Sequence, residues 1–131
     1  MKKEFRFIDL TYTIDLQDKV CVLMGNSGEG KTFLFDKIFD LQQSCDLVYR
    51  FFNWKNYKTI NWDELKLLDE SALIVFDNAD LYLVGQKDNV DSLRATVIIS
   101  CKFWWDMVSR DKFEYYKVEF DEHGNICMER K

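Results

Sequence analysis

At 131 residues the chain is expected to form one domain. Hydrophobic residues make up 47% and charged residues 31%, which excludes a disordered chain and supplies enough apolar side chains for a real core. The formal net charge of −5 leaves no basic surface able to grip a nucleic-acid backbone, so direct nucleic-acid binding is not expected; an acidic surface favours solubility or a basic protein partner.

The predicted elements follow in chain order. Phe5, Phe7, Leu10, Tyr12, Ile14 and Leu16 mostly alternate with polar residues, as in one or two strands. Gln17-Asp18-Lys19 is a turn, and Val20 to Met24 is a continuous apolar run suited to a central strand buried on both faces. A helix is expected from Lys31 to Gln42, with Leu34, Ile38 and Leu41 on one face and Phe35 and Phe39 beside them. Leu47 to Phe52 is a strand, and Asn61 or Asp63 is placed to cap a short helix carrying Leu65 and Leu68. Ala72 to Phe76 is a strongly apolar strand ending in Asp77. Gly85 to Asn89 is expected to be a loop, Ala95 to Ile99 a strand ending at Ser100, and Trp104 to Val108 a short helix. Tyr115 to Phe120 and Ile126 to Glu129 are expected to pair across a turn at residues 121–125 that carries His123 facing solvent.

Strands alternating with helical segments predict an α/β fold with a mostly parallel central sheet and antiparallel edge hairpins. Ligands of such sheets sit at the carboxyl ends of the strands. Lys31, Asp77 and Ser100 all follow or end strands and are expected to converge there.

The segment between the third strand and the first helix carries the chemistry. Gly25-Asn26-Ser27-Gly28-Glu29-Gly30-Lys31-Thr32 fits G-x-x-x-x-G-K-[ST] without a mismatch. The glycines allow the backbone to curl so that successive N–H groups face one point, and the following helix adds the positive end of its dipole. In such a cradle Lys31 reaches the β- and γ-phosphates of a nucleoside triphosphate and the Thr32 hydroxyl holds Mg²⁺. A chance match to four fixed positions occurs in roughly one chain of this length in a hundred, and the flanking strand and helix make accident rarer still.

Leu73-Ile74-Val75-Phe76-Asp77 is the candidate second half of a Mg²⁺ site: in P-loop enzymes an acid ending such a strand binds the ion, usually through water, although many buried strands end in Asp without that role. The next residue is Asn78, whose amide orients water but does not take its proton as a carboxylate does. Asp80 is either a second water-positioning acid or a turn cap; Glu29 and Asp36 are further acids in reach, Asp36 on the solvated helix face. Ser100 is either a γ-phosphate sensor or an ordinary strand-end serine. Arg94 and Arg110 are the candidate charge-stabilising arginines, with a surface role as the plainer alternative. Phe51, Phe52, Trp54, Tyr57 and Trp62 either pack the core and a partner or stack a base.

Cys21, Cys45, Cys101 and Cys127 form no C-x-x-C pair, so no zinc site is expected. No apolar run is long enough to cross a bilayer, and a reducing cytoplasmic location is the expectation.

These motifs resemble the P-loop NTPase superfamily, in its ABC/AAA+-like branch. Residues 7–14 and 19–24 are similar to the strands leading into an ABC nucleotide site, Gly25 to Thr32 matches Walker A, and Leu73 to Asp77 matches Walker B. Thr96 to Ser100 resembles the strand carrying the ABC switch histidine, and the hairpin around Gly124 resembles the closing strands of such domains. The resemblance implies a three-layer α/β/α sandwich, an ATP-binding site with Mg²⁺, and a slow ATPase or nucleotide switch acting in a larger complex, with a protein partner or a homo-oligomer. The chain also departs from that pattern. It lacks the L-S-G-G-Q signature, a Q-loop and N-K-x-D, and Ser100-Cys101 stands where Thr-His is expected. The interval between the two Walker motifs is roughly 40 residues, too short for a helical subdomain. These departures keep a second reading open, a non-hydrolysing regulatory or inhibitory binder of the kind mobile genetic elements encode. A third, a small nucleotide or metabolite kinase, calls for an arginine-rich lid that the segment from Asn78 to Ala95 lacks.

Overall fold

The computed structural model describes residues 2–7, 10–25, 31–42, 47–104, 106–120 and 126–130. The strands are β1 (Lys2–Phe7), β2 (Leu10–Asp15), β3 (Val20–Met24), β4 (Tyr49–Phe52), β5 (Leu73–Phe76), β6 (Thr96–Cys101), β7 (Phe113–Phe120) and β8 (Ile126–Arg130). The helices are α1 (Lys31–Leu41), α2 (Trp62–Leu67) and α3 (Lys87–Asp91). All eight strands join one sheet in the order β1-β2-β8-β7-β3-β6-β5-β4.

Five neighbouring strands, β7-β3-β6-β5-β4, run parallel. The sequence explains why these form the interior. Val20 to Leu23, Leu73 to Phe76 and Thr96 to Cys101 are buried along their whole length, which a strand tolerates only when both faces are covered. Alternation then divides their side chains between two cores. Val20, Val22, Ile74, Phe76, Val97 and Ile99 face one side with Leu65, Ala79, Leu83, Val90 and Leu93, so α2, the turn after β5 and α3 cover it. Cys21, Leu23, Leu73, Val75 and Ile98 face the other with Leu34, Phe35 and Ile38, so α1 covers that. Burying a Leu, Ile, Val or Phe side chain contributes roughly 1.5–3 kcal/mol. These two cores therefore dominate the favourable side of folding.

The expected strands are all present, and so is the parallel centre. The placement of the hairpins differs in one respect. The β1–β2 hairpin is antiparallel at one edge, as expected. The antiparallel β7–β8 hairpin lies inside the sheet instead, with β7 against β3 and β8 running parallel to β2. The other edge is the parallel strand β4. Two local expectations are also corrected. Lys87–Asp91 is a short helix where a loop was expected over Gly85 to Asn89, and its Val90 is buried in the core on that face of the sheet. The described residues of 104–108 form no helix; Met107 and Val108 are buried, Trp104 lies 4.5 Å from Phe113, and Asp106 takes a positive φ of 39°. Helix α2 is capped as anticipated, Asn61 accepting from the Glu64 amide. The turn at residues 121–125, with His123, lies outside the described residues.

Candidate functional site

In parallel strands the carboxyl ends share one edge of the sheet, and β3, β6 and β5 are consecutive neighbours there. The register pairs Leu23 with Ser100 and Phe76 with Ile99, so the ends of these three strands lie level. Strand β3 runs into Gly25, whose φ of 140° belongs to the region glycine occupies readily. The Gly25 amide donates to the Cys101 carbonyl at 3.2 Å, anchoring the loop entrance to β6. Asn26, Ser27, Gly28, Glu29 and Gly30 lie outside the described residues, as does the Thr32 side chain.

Helix α1 starts at Lys31, directly after the loop. The lysine is only 5% exposed, and its ammonium donates to the Gly25 carbonyl at 2.9 Å. A buried cation is costly unless compensated. The Gly25 carbonyl dipole and the nearby Asp77 carboxylate offset part of that cost.

Asp77 follows β5 and is half-buried. Burial pushes its carboxyl above the ordinary value, while hydrogen bonds from the Ser100 hydroxyl and the Asn78 amide and the nearby Lys31 charge pull it down; the Asp36 charge pushes it up. Lys31 and Ser100 thus both act on Asp77 at this end of the sheet. Ser100 is 2% exposed and lies close enough to Asp77 to pull its carboxyl down. Among the described residues no group of three or more histidine, cysteine, aspartate or glutamate side chains surrounds a metal position. A divalent ion here would take one protein carboxylate, Asp77, and complete its shell with phosphate oxygens and water, the pattern Mg²⁺ prefers.

Asn78 adopts a left-handed conformation, φ 52° and ψ 41°, which asparagine tolerates better than most residues. Its amide donates back to Asp77 Oδ1 at 3.1 Å. Asp80 lies in the turn Ala79–Leu81, where its Oδ1 accepts from the Lys102 amide at 3.3 Å. The contact is a clasp between the exits of β5 and β6, a structural role other than the turn cap expected from the sequence. Asp36 is exposed on α1.

Arg94 and Arg110 are not part of this constellation. Arg94 precedes β6, and Arg110 precedes β7, stacking on Phe113 at 4.8 Å and Tyr115 at 5.7 Å. Both sit at the amino ends of the parallel strands, away from Lys31 and Asp77. The aromatic segment divides as well. Phe52 and Trp62 pack on Phe76 with ring centroids at 5.7 and 5.8 Å, whereas Trp54 remains 55% exposed.

One participant carries no sequence signal. Tyr82 places its hydroxyl 2.6 Å from the Asp77 carbonyl and 3.0 Å from the Phe52 carbonyl, and Tyr57 stacks on its ring. An isolated tyrosine five residues after an acid matches no motif; only the chain reversal through residues 78–81 brings it back. Cys21 and Cys101 are buried free thiols, with burial pushing them up to about 12 and about 11, so neither is a thiolate nucleophile at neutral pH. No helix among the described residues is long and apolar enough to cross a membrane.

No protein-family model matches this chain, and no curated protein matches it either.

Proposed function

We propose that the chain is an ATP-binding P-loop protein, a three-layer α/β/α domain that acts as a slow Mg²⁺-dependent ATPase or nucleotide switch with a protein partner. The observation that carries this reading is the meeting of the buried Lys31 with Asp77 and Ser100 at the carboxyl ends of three adjacent parallel strands, in a chain whose residues 25–32 read G-x-x-x-x-G-K-[ST]. Lys31 and the loop amides from Gly25 to Thr32 hold the phosphates, and Thr32 and Asp77 hold Mg²⁺. The ion supplies charge neutralisation at the transferred phosphoryl group.

Asn78 favours a second reading, binding without turnover. The position following the metal acid carries an amide, and its backbone is committed to the Asp77 carboxylate. Asp80, the nearest acid in the chain, is engaged with the Lys102 amide. In this reading nucleotide state controls a partner instead of driving chemistry.

Thermal unfolding with and without Mg-ATP, combined with a phosphate-release assay, separates these outcomes. A rise in Tm that Lys31→Ala abolishes supports nucleotide binding; phosphate release then selects the ATPase and its absence the switch. An unchanged Tm at millimolar Mg-ATP, or a Lys31→Ala protein with undiminished affinity, rejects the nucleotide site.

A further inference from the structure

Asp77 and Asn78 share one peptide plane, and both of its polar ends are tied. The oxygen of that plane, the Asp77 carbonyl, accepts from Tyr82 Oη at 2.6 Å. The N–H of the same plane, from Asn78, donates to Asp77 Oδ1 at 3.1 Å. Because the peptide unit is rigid and planar, holding its oxygen fixes the direction of its N–H. The Phe52 carbonyl stands 3.0 Å from the same hydroxyl, whose single proton favours the nearer Asp77 oxygen, and it accepts from the Asp77 N–H at 2.8 Å, which ties this segment to the end of β4. The Tyr57 ring stacks on Tyr82 with centroids 5.3 Å apart and planes 11° from parallel, which restrains the tyrosine in turn.

On the nucleotide reading above, we propose that Tyr82 is a positioning residue for Asp77: its hydroxyl locks the 77–78 peptide so that the Asn78 amide aims the carboxylate at a nucleotide-bound divalent cation. The other groups acting on Asp77 are the Ser100 hydroxyl from β6, and Lys31 and Asp36 from α1. Tyr49 of β4 and Tyr82 itself feel the Asp77 charge, and Tyr82 also feels Asp80. Ser100, Lys31, Asp36 and Tyr49 all keep their side chains when the Tyr82 hydroxyl alone is removed. Without it the 77–78 peptide is free to turn, the amide leaves the carboxylate, and the ionised acid loses a donor.

Tyr82→Phe keeps the ring and its stack on Tyr57 and removes only the hydroxyl. The titration of Asp77, followed by carboxyl ¹³C NMR without nucleotide, is expected to move upward by about half a pH unit or more. ATP affinity measured with Mg²⁺ is expected to fall several-fold, with affinity in EDTA unchanged. An Asp77 midpoint identical to that of the native chain overturns the proposal. So does a Tyr82→Phe protein that fails to fold by circular dichroism, since the hydroxyl is then a structural requirement. If the midpoint moves while the native chain binds no ATP, the positioning of Asp77 stands and the nucleotide reading falls.

Discussion

The Asn78 amide donates to the Asp77 carboxylate at 3.1 Å from a left-handed backbone, so the residue beside the acid serves it through the main chain. Such strain of a non-glycine residue costs about 1–3 kcal/mol and persists where surrounding structure fixes it. Here the Tyr82 hydroxyl and the Asp80–Lys102 clasp supply that structure.

Asp77 is placed at a cost to stability. Its carboxyl titrates above the ordinary 3.8 because burial outweighs the hydrogen bonds that favour the ion. The native state therefore holds this proton more tightly than the unfolded state does. Stability from this group falls as pH rises from 3.8 through the raised native value, and the full cost is present above it. Asp77→Asn is expected to raise Tm by roughly 2–5 °C at pH 7, an advantage that narrows and vanishes as pH falls below the unfolded value. Differential scanning calorimetry between pH 3 and 7 checks this; a variant less stable at pH 7 contradicts it. The same variant is expected to lose the Mg²⁺-dependent part of ATP binding.

Asn78→Glu tests whether turnover is limited by the missing carboxylate. If the nucleotide reading is right, phosphate release should rise about tenfold or more, within the range a general base contributes. Stability is expected to drop by about 1–2 kcal/mol, because glutamate tolerates positive φ poorly and adds a like charge beside Asp77. Urea denaturation measures the second effect. A stability loss without any gain in release favours the switch.

Tyr116 anchors the β7–β8 hairpin to the turn before β3. Its hydroxyl donates to Asp18 Oδ2 at 2.7 Å and accepts from the amides of Gln17 at 3.1 Å and Asp18 at 3.3 Å. The ring is 2% exposed, so Tyr116→Phe leaves these partners short of a bond and should cost about 1–3 kcal/mol in urea. The Arg130–Asp18 pair, 3.0 Å apart and exposed on the arginine side, should contribute far less, so Arg130→Ala is expected to be nearly neutral.

The free edge of the sheet is closed by its own side chains. The Val48 and Phe52 carbonyls bond toward β5, so alternation turns those of Tyr49 and Phe51 outward. Arg50 Nη1 donates to Tyr49 at 3.2 Å and Asn56 Nδ2 to Phe51 at 3.1 Å. Edge strands with open carbonyls invite strand addition. The double variant Arg50→Ala, Asn56→Ala should therefore self-associate at concentrations where the native chain's sedimentation coefficient does not change. An unchanged coefficient for the variant shows that the edge is protected by other means.

Much of this was legible in the chain because it is local. Apolar runs such as Val20 to Met24 and Leu73 to Phe76 declare strands, and the loop between Gly25 and Thr32 declares its place between strand and helix. Polar residues closing such runs must fall at strand ends, which brought Lys31, Asp77 and Ser100 into view together. The inward β7–β8 hairpin was not legible, because strand order is chosen by which faces bury each other across the whole chain. The helix at residues 87–91 was not legible either, because the core that buries Val90 is built by strands distant in sequence.

The sequence by itself determined the parallel α/β sheet, the loop and the acid, since period and punctuation act over a few residues. Tertiary structure alone decided that Asp80 clasps Lys102, that Arg94 and Arg110 lie at the opposite end, and that Tyr82 holds the peptide after Asp77. Those outcomes depend on contacts near 3 Å between separately paired segments. A hydrogen bond is that short-ranged, so its partners are chosen only once the strands have taken their places.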